Sequence, residues 1–244
     1  MSCRLNALLK IFHTGIALSI IFLMPSPSVD AKSAYWGRSK KIIVLDPGHG
    51  GVDEGVRSPD GILEKKVVLE LSKRIADQIK GPYRVNLTRS DDYRIDTDRR
   101  TDVANNNSAD IFISIHAAGS YAQAAKGICI YYFKGATAQE KDDSVSQIND
   151  QESLPAWDHL QLRHIHTSRL LAEHLRKQLS PLTQTTITAA PLLVLKGADM
   201  PAVLIEIGYL SNPEDVKALR EFRHLDTLAV AILAGINEFF SDLD

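Results

Sequence analysis

Three apolar runs in this 244-residue chain end on, or are interrupted by, a side chain able to bind a metal or move a proton. Ile42 to Leu45 gives way to Asp46-Pro47-Gly48-His49-Gly50-Gly51. Ile111 to Ile115 ends on His116-Ala117-Ala118-Gly119. Val203-Leu204-Ile205 runs into Glu206, and Gly208 follows two residues later. Two imidazoles at strand ends point to a metal, because neutral imidazole is a common zinc ligand. Glu64 is the natural third ligand: it follows His49 by fifteen positions, at the start of a helix beyond a glycine-containing loop long enough to fold back.

A His, Glu, His set leaves one coordination position for water, and water so bound titrates near pH ~7. Glu206 then has work to do, since a carboxylate inside Val-Leu-Ile-Glu-Ile-Gly-Tyr is costly to bury without a partner. It would take the proton of the attacking water and pass one to a leaving nitrogen. The chemistry expected is amide hydrolysis without a covalent intermediate. A mixed imidazole and carboxylate set with an open position suits zinc among the divalent ions.

Each residue also has a plainer reading. Gly48-His49-Gly50-Gly51 could be a phosphate turn, although no Lys-Ser/Thr follows it and its glycine spacing is not that of a dinucleotide loop. His116 could be a hydrogen-bonded core histidine, and Glu64 could serve its helix dipole. Glu206 has no comparably simple alternative. Among the other histidines, His164 and His166 are two apart on one helix and point to different sides. His159, His166 and His224 read as helix surface, and Tyr131-Tyr132-Phe133 as strand packing.

The elements that must position these residues alternate between strand and helix. The pattern predicts an α/β sandwich, a single domain over residues 41–244, with a mostly parallel or mixed central sheet of about six strands flanked by helices. After the Ile42 strand and its loop, Val68, Leu71, Ile75 and Ile79 mark a helix from Glu64 to about Lys80, stopped by Gly81-Pro82. Tyr83–Thr88 is the next strand, Arg89 to Asp96 a charged loop, and Thr97-Asp98 the cap of a short helix. The His116 strand and a strand over Gly127–Phe133 follow. Residues 134–158 read as a long surface excursion. A helix is expected from about Trp157 to Leu179, strands over Ala190–Leu195 and Val203–Ile207, a short helix opened by Asn212-Pro213, and a final helix from about His224 to Phe240.

The ends of the chain and its charge bear on where it works. Arg4 and Lys10 precede the apolar run Ile11 to Met24, and Val29-Asp30-Ala31 supplies small residues before Lys32. Residues 1–31 therefore read as an export signal cut after Ala31, with residues 32–40 as a linker; a retained membrane anchor is the alternative. The expected location is periplasmic or secreted, with membrane contact only through this segment. Cutting there removes Arg4, Lys10 and Asp30, leaving the chain one unit more negative than its formal −2. That charge argues against nucleic acid as a partner. Cys129 is then the one remaining cysteine and reads as a small core residue.

Taken together, Val44-Leu45-Asp46-Pro47-Gly48-His49-Gly50-Gly51, Leu63-Glu64-Lys65, Leu87-Thr88-Arg89, Ser114-Ile115-His116-Ala117 and Met200 to Asn212 resemble the zinc-dependent N-acetylmuramoyl-L-alanine amidases of family 3. The resemblance covers roughly residues 41–240 in order. It implies zinc held by His49, Glu64 and His116, Glu206 as the catalytic carboxylate, and peptidoglycan as substrate, cut between the muramic acid lactyl group and L-alanine. The competing expectation is a catalytically silent peptidoglycan-binding or regulatory domain of the same fold. In some members of this family an inserted helix plugs the site until an activator protein releases it. Residues 134–158 fall at that place but lack the pattern of a long helix, and Trp157-Asp158-His159-Leu160-Gln161 resembles members in which a Trp-Asp stretch leads directly into the next helix.

Overall fold

The computed structural model describes residues 40–79, 81–122, 124–135 and 160–243. Among these, six strands form one sheet: β1 (Lys41–Pro47), β2 (Tyr83–Leu87), β3 (Ile111–Ala118), β4 (Ile128–Phe133), β5 (Thr185–Ala190) and β6 (Ala202–Tyr209), in the order β2-β1-β3-β6-β4-β5. β2, β1, β3 and β6 run parallel, β4 runs antiparallel to β6, and β5 follows β4 in parallel. The carboxyl ends of β1, β3 and β6 therefore meet at one rim, as the sequence predicts.

The strands of the sheet's middle are apolar on successive positions because both faces are covered. Ile43 and Leu45 of β1, Ile113 and Ile115 of β3, and Val203 and Ile205 of β6 face a core built with α1 (Glu64–Gln78), α3 (Ile165–Leu179) and α6 (Phe222–Leu243). Val44, Phe112 and Leu204 point the other way, into a smaller core with α2 (Thr97–Asn106) and α4 (Leu193–Lys196). Truncating a fully buried leucine of the larger core, such as Leu171, to alanine is expected to cost about 2–5 kcal/mol.

α5 (Pro213–Arg220) pins the rim end of β6. Asn212 caps it, its Oδ1 accepting the N–H groups of Glu214 and Asp215 at 2.9 and 3.3 Å, with Pro213 in the first turn. The Asp215 carboxylate then accepts the N–H groups of Tyr209, on β6, and Gly127, just before β4, at 2.8 and 2.9 Å. Strand β6 is thereby anchored just beyond Glu206.

Several expectations need correction. The fifth strand is Thr185–Ala190, not Ala190–Leu195. Its Thr-Thr-Ile-Thr sequence is a half-exposed edge strand, while the more apolar Leu193–Lys196 forms a single helical turn that buries Leu195 against the smaller core. The cap position of α2 is Asp96, one residue before Thr97. Gln161–His164 is a 3-10 turn leading into α3, and α6 begins earlier than predicted, at Phe222. His224 is partly buried in α6 rather than a surface residue, and burial pushes its pKa down. The expected start of a helix at Trp157, and nearly all of the 134–158 excursion with any plugging role, lie outside the described residues.

Candidate metal centre and active site

His49 follows the proline that closes β1 and occupies the left-handed region, with φ of 59°. A β-carbon there costs about 1–2 kcal/mol, so the loop must be held in this shape by other contacts. The conformation turns the imidazole back over the rim. Its Nε2 lies 2.9 Å from Glu64 Oε1 and its Nδ1 2.9 Å from Asp53 Oδ2. His116, near the end of β3, brings Nδ1 to 3.0 Å from the same Glu64 Oε1. The two imidazole rings meet edge to face, with centroids 4.9 Å apart and planes at 78°.

Glu64 opens α1 and is only 2 % exposed. The peptide N–H of Ala117 donates to its Oε1 at 3.0 Å and that of Val56 to its Oε2 at 2.8 Å. Burial alone would raise its pKa, but hydrogen bonds from His116 and His49, the charge of His116, and the Val56 N–H outweigh burial and bring it to about 2. For His49, burial favours the neutral ring, yet Glu64 and Asp53 more than offset that and its pKa is raised. Gly55 makes room for the pair: its φ is +67°, and a β-carbon there would lie 2.4 Å from Glu64 Oε2 and 2.6 Å from His49 Cδ2.

Three side chains from separate stretches of chain thus put their donor atoms within 4.8 Å of one another. Two imidazole nitrogens directed at one buried carboxylate oxygen leave a cluster whose donors all suit a divalent ion, and zinc in particular. Among the described residues this is the one such group of three, so His164, His166 and His224 form no second site. His164 instead faces Asp199, 3.1 Å away. Cys129 is a free, buried thiol that reaches Thr188 Oγ1 at 3.5 Å.

Glu206 stands beside this cluster. It pairs with His116 in the parallel β3–β6 ladder and with Cys129 in the antiparallel β4–β6 ladder. Its Oε2 is buried without a hydrogen-bond partner among the described residues. Burial raises its pKa to about 7, the Glu64 charge adding to the rise and the nearby imidazoles working against it. A carboxyl poised there is suited to exchanging a proton near neutral pH.

The loop after β1, the start of α1, and strands β3 and β6 bring His49, Glu64, His116 and Glu206 together at one rim. Sequence reasoning missed Asp53, and it gave Arg89, part of the Leu87-Thr88-Arg89 motif and read as the start of a charged loop, no role in the site, whereas Arg89 is 1 % exposed. It missed Arg100 as well, a buried residue of α2 that pairs with the fully buried Asp46 at 2.8 Å. Thr88 and Ser114 donate hydroxyls to the same Asp46 carboxylate at 2.5 and 2.7 Å.

Residues 43–238 match the family model described as N-acetylmuramoyl-L-alanine amidase. The chain is 30 % identical over 226 residues to N-acetylmuramoyl-L-alanine amidase AmiA of Salmonella typhimurium, covering 84 % of this chain and 78 % of that one. It is 32 % identical over 204 residues to the probable cell wall amidase LytH of Staphylococcus epidermidis, covering 82 % and 59 % of the two chains. The catalytic domain of CwlV, an N-acetylmuramoyl-L-alanine amidase from Bacillus (Paenibacillus) polymyxa var. colistinus, superposes with a TM-score of 0.67. It is 28 % identical and is matched over 82 % of this chain and 98 % of its own.

Proposed function

This chain belongs to the N-acetylmuramoyl-L-alanine amidase family, and within that family we propose that His49, Glu64 and His116 hold a zinc ion beside Glu206. The enzyme is an N-acetylmuramoyl-L-alanine amidase acting on peptidoglycan. The observation that carries the zinc reading is the approach of His49 Nε2 and His116 Nδ1 to the one oxygen, Glu64 Oε1, at 2.9 and 3.0 Å.

Zinc held by these three residues would supply a Lewis acid for the scissile carbonyl and make water acidic enough to ionise near neutral pH. Glu206 in its ionised form accepts the proton as water adds to the carbonyl carbon. It returns that proton to the amide nitrogen as the carbon–nitrogen bond breaks. The products are the lactyl carboxylate on the sugar and a free amino group on L-alanine. Glu64 contributes a fixed negative charge, since its low pKa keeps it ionised throughout the working range.

The export reading of residues 1–31, which would put the enzyme in the periplasm or outside the cell, is supported by relatives named as cell wall amidases. No helix among the described residues is long and apolar enough to cross a membrane. Metal analysis of the purified protein together with mass spectrometry of digested sacculi tests the proposal. One zinc per chain and stem peptides with free L-alanine amino termini are expected. Release of those peptides undiminished by complete chelation would remove the metal from the reaction.

A further inference from the structure

Four hydrogen bonds from two buried guanidinium groups converge on three consecutive carbonyl oxygens of the His49 loop. Arg89 donates from Nε to Pro47 O at 2.9 Å and from Nη2 to Gly48 O at 2.7 Å. Arg100 donates from Nη1 to Pro47 O and from Nη2 to His49 O, both at 3.0 Å. The clamp extends further. Arg89 Nη2 also donates to Lys65 O at 2.9 Å, in the first turn of α1 beside Glu64, and Nη1 to Asp91 O at 3.1 Å. Arg100 Nη1 is held by Asp46, which takes the Ser114 hydroxyl two residues before His116.

Among the described residues, all four Arg89 bonds go to backbone carbonyls and none to a carboxylate. Burying a cation on such partners is costly, and apolar filling would serve stability better. What the arrangement supplies is geometry. One planar fork spans the residue before the first ligand and the residue after the second, so the His49-to-Glu64 spacing is tied to the rigid shape of a guanidinium. The third ligand is in the same assembly, since a β-carbon on Gly48 would lie 2.3 Å from the His116 ring. A shift of the loop is therefore felt by all three.

Resting on the zinc reading above, we propose that Arg89 and Arg100 are positioning residues for the metal centre: they clamp the His49 loop in its strained left-handed form and set the spacing of the three ligands. Neither touches the metal or the substrate. Lysine at either position keeps the charge but cannot span two carbonyls with a fixed fork.

The test compares zinc affinity, by competition with a chromophoric chelator, in the wild type, Arg89→Lys, Arg100→Lys and a mild core truncation, Ile236→Val. Melting temperatures and the visible absorption of the cobalt(II)-substituted proteins are read in parallel. The lysine variants are expected to fold, to bind zinc about 10–100-fold more weakly, and to shift the cobalt bands. Ile236→Val should lower the melting temperature and leave both metal readouts unchanged. A folded lysine variant with zinc affinity within about threefold of wild type would overturn the clamp. If Arg89→Lys does not fold, Arg100→Lys decides alone; failure of both to fold would overturn the proposal by showing that the guanidiniums serve the fold rather than the site. Wild-type protein that binds no zinc would instead remove the metal reading beneath it.

Discussion

Glu206 stands level with His116 across the β3–β6 ladder, yet its Oε2 is buried with no hydrogen-bond partner among the described residues. A neighbouring imidazole, a buried free oxygen and a pKa near 7 belong together: the carboxyl is kept close to the proposed metal ligands but uncommitted, free to take a proton.

Glu206→Gln keeps the shape and removes the proton acceptor. Zinc content should be unchanged while kcat falls about 10²–10⁴-fold, the range for losing a general base. In the wild type the acid limb of the kcat/KM profile should rise with pH as Glu206 ionises, at or below about pH 7, because bound metal adds positive charge beside it. Near-wild-type turnover in the glutamine variant would take Glu206 out of the reaction.

Metal removal should change both stability and its dependence on pH. Zinc at one hundred times its dissociation constant adds about 2.7 kcal/mol, roughly 5–10 °C in melting temperature for a domain of this size. In the metal-free protein, the His49 contribution is present below the ordinary histidine pKa and is lost as pH rises through its raised value. Glu206 acts in the same direction: its contribution, on the order of 3 kcal/mol, is present below the ordinary glutamate pKa and lost as pH rises through about 7. Glu64 opposes them only in acid, its contribution being lost as pH falls from the ordinary value towards about 2. Metal-free protein should thus lose stability between pH 5 and 8, whereas the zinc-loaded form should not, because neutral imidazole is the ligand. Parallel melting curves for the two forms would fail to diverge if the cluster held no metal.

Gly55 and Gly61 both have positive φ, but of the two only Gly55 faces the site; none of the described residues lies within 4 Å of where a β-carbon on Gly61 would be. Alanine at either position should cost about 1 kcal/mol of backbone strain. Gly55→Ala should in addition displace His49 and Glu64 and lower zinc affinity by about tenfold or more, the scale of damage to groups that orient ligands. Equal zinc affinity in the two variants, measured by chelator competition, would show that Gly55 serves only its turn.

The parts of this site legible in the sequence are those where a chemical side chain breaks an apolar run. His49, His116 and Glu206 stand out because buried strands tolerate such residues only with a reason. Glu64 was legible because a helix start near a glycine loop is a place where a carboxylate can face a strand end. Arg89 and Arg100 were not, since a charged residue in a polar stretch ordinarily reads as surface, and their partners are backbone carbonyls that leave no mark on the sequence. The edge strand was misplaced for a related reason. Thr185–Ala190 is only half covered, so its apolar content is lower than that of the single helical turn after it.

Asp53 offers the sharpest separation of charge from shape. Its Oδ2 lies 2.9 Å from His49 Nδ1, while its Oδ1 accepts the Gly55 N–H at 3.2 Å and holds the turn. A carboxylate behind a metal-bound imidazole fixes the ring's tautomer and makes the other nitrogen a stronger donor to the metal. Asp53→Asn retains an oxygen for Gly55, so the turn should survive, but it loses the negative charge and puts an amide NH2 where Oδ2 faces His49 Nδ1. The melting temperature of the metal-free variant should then change little, because Asp53 is half exposed and its pairing with His49 is screened by solvent. Zinc affinity should fall about tenfold at high pH, where His49 is neutral in both proteins before metal binds, and the fall should shrink as pH drops, because Asp53 raises the His49 pKa and so strengthens proton competition in the wild type. A variant that loses stability but binds zinc as tightly as wild type would assign Asp53 to the loop alone.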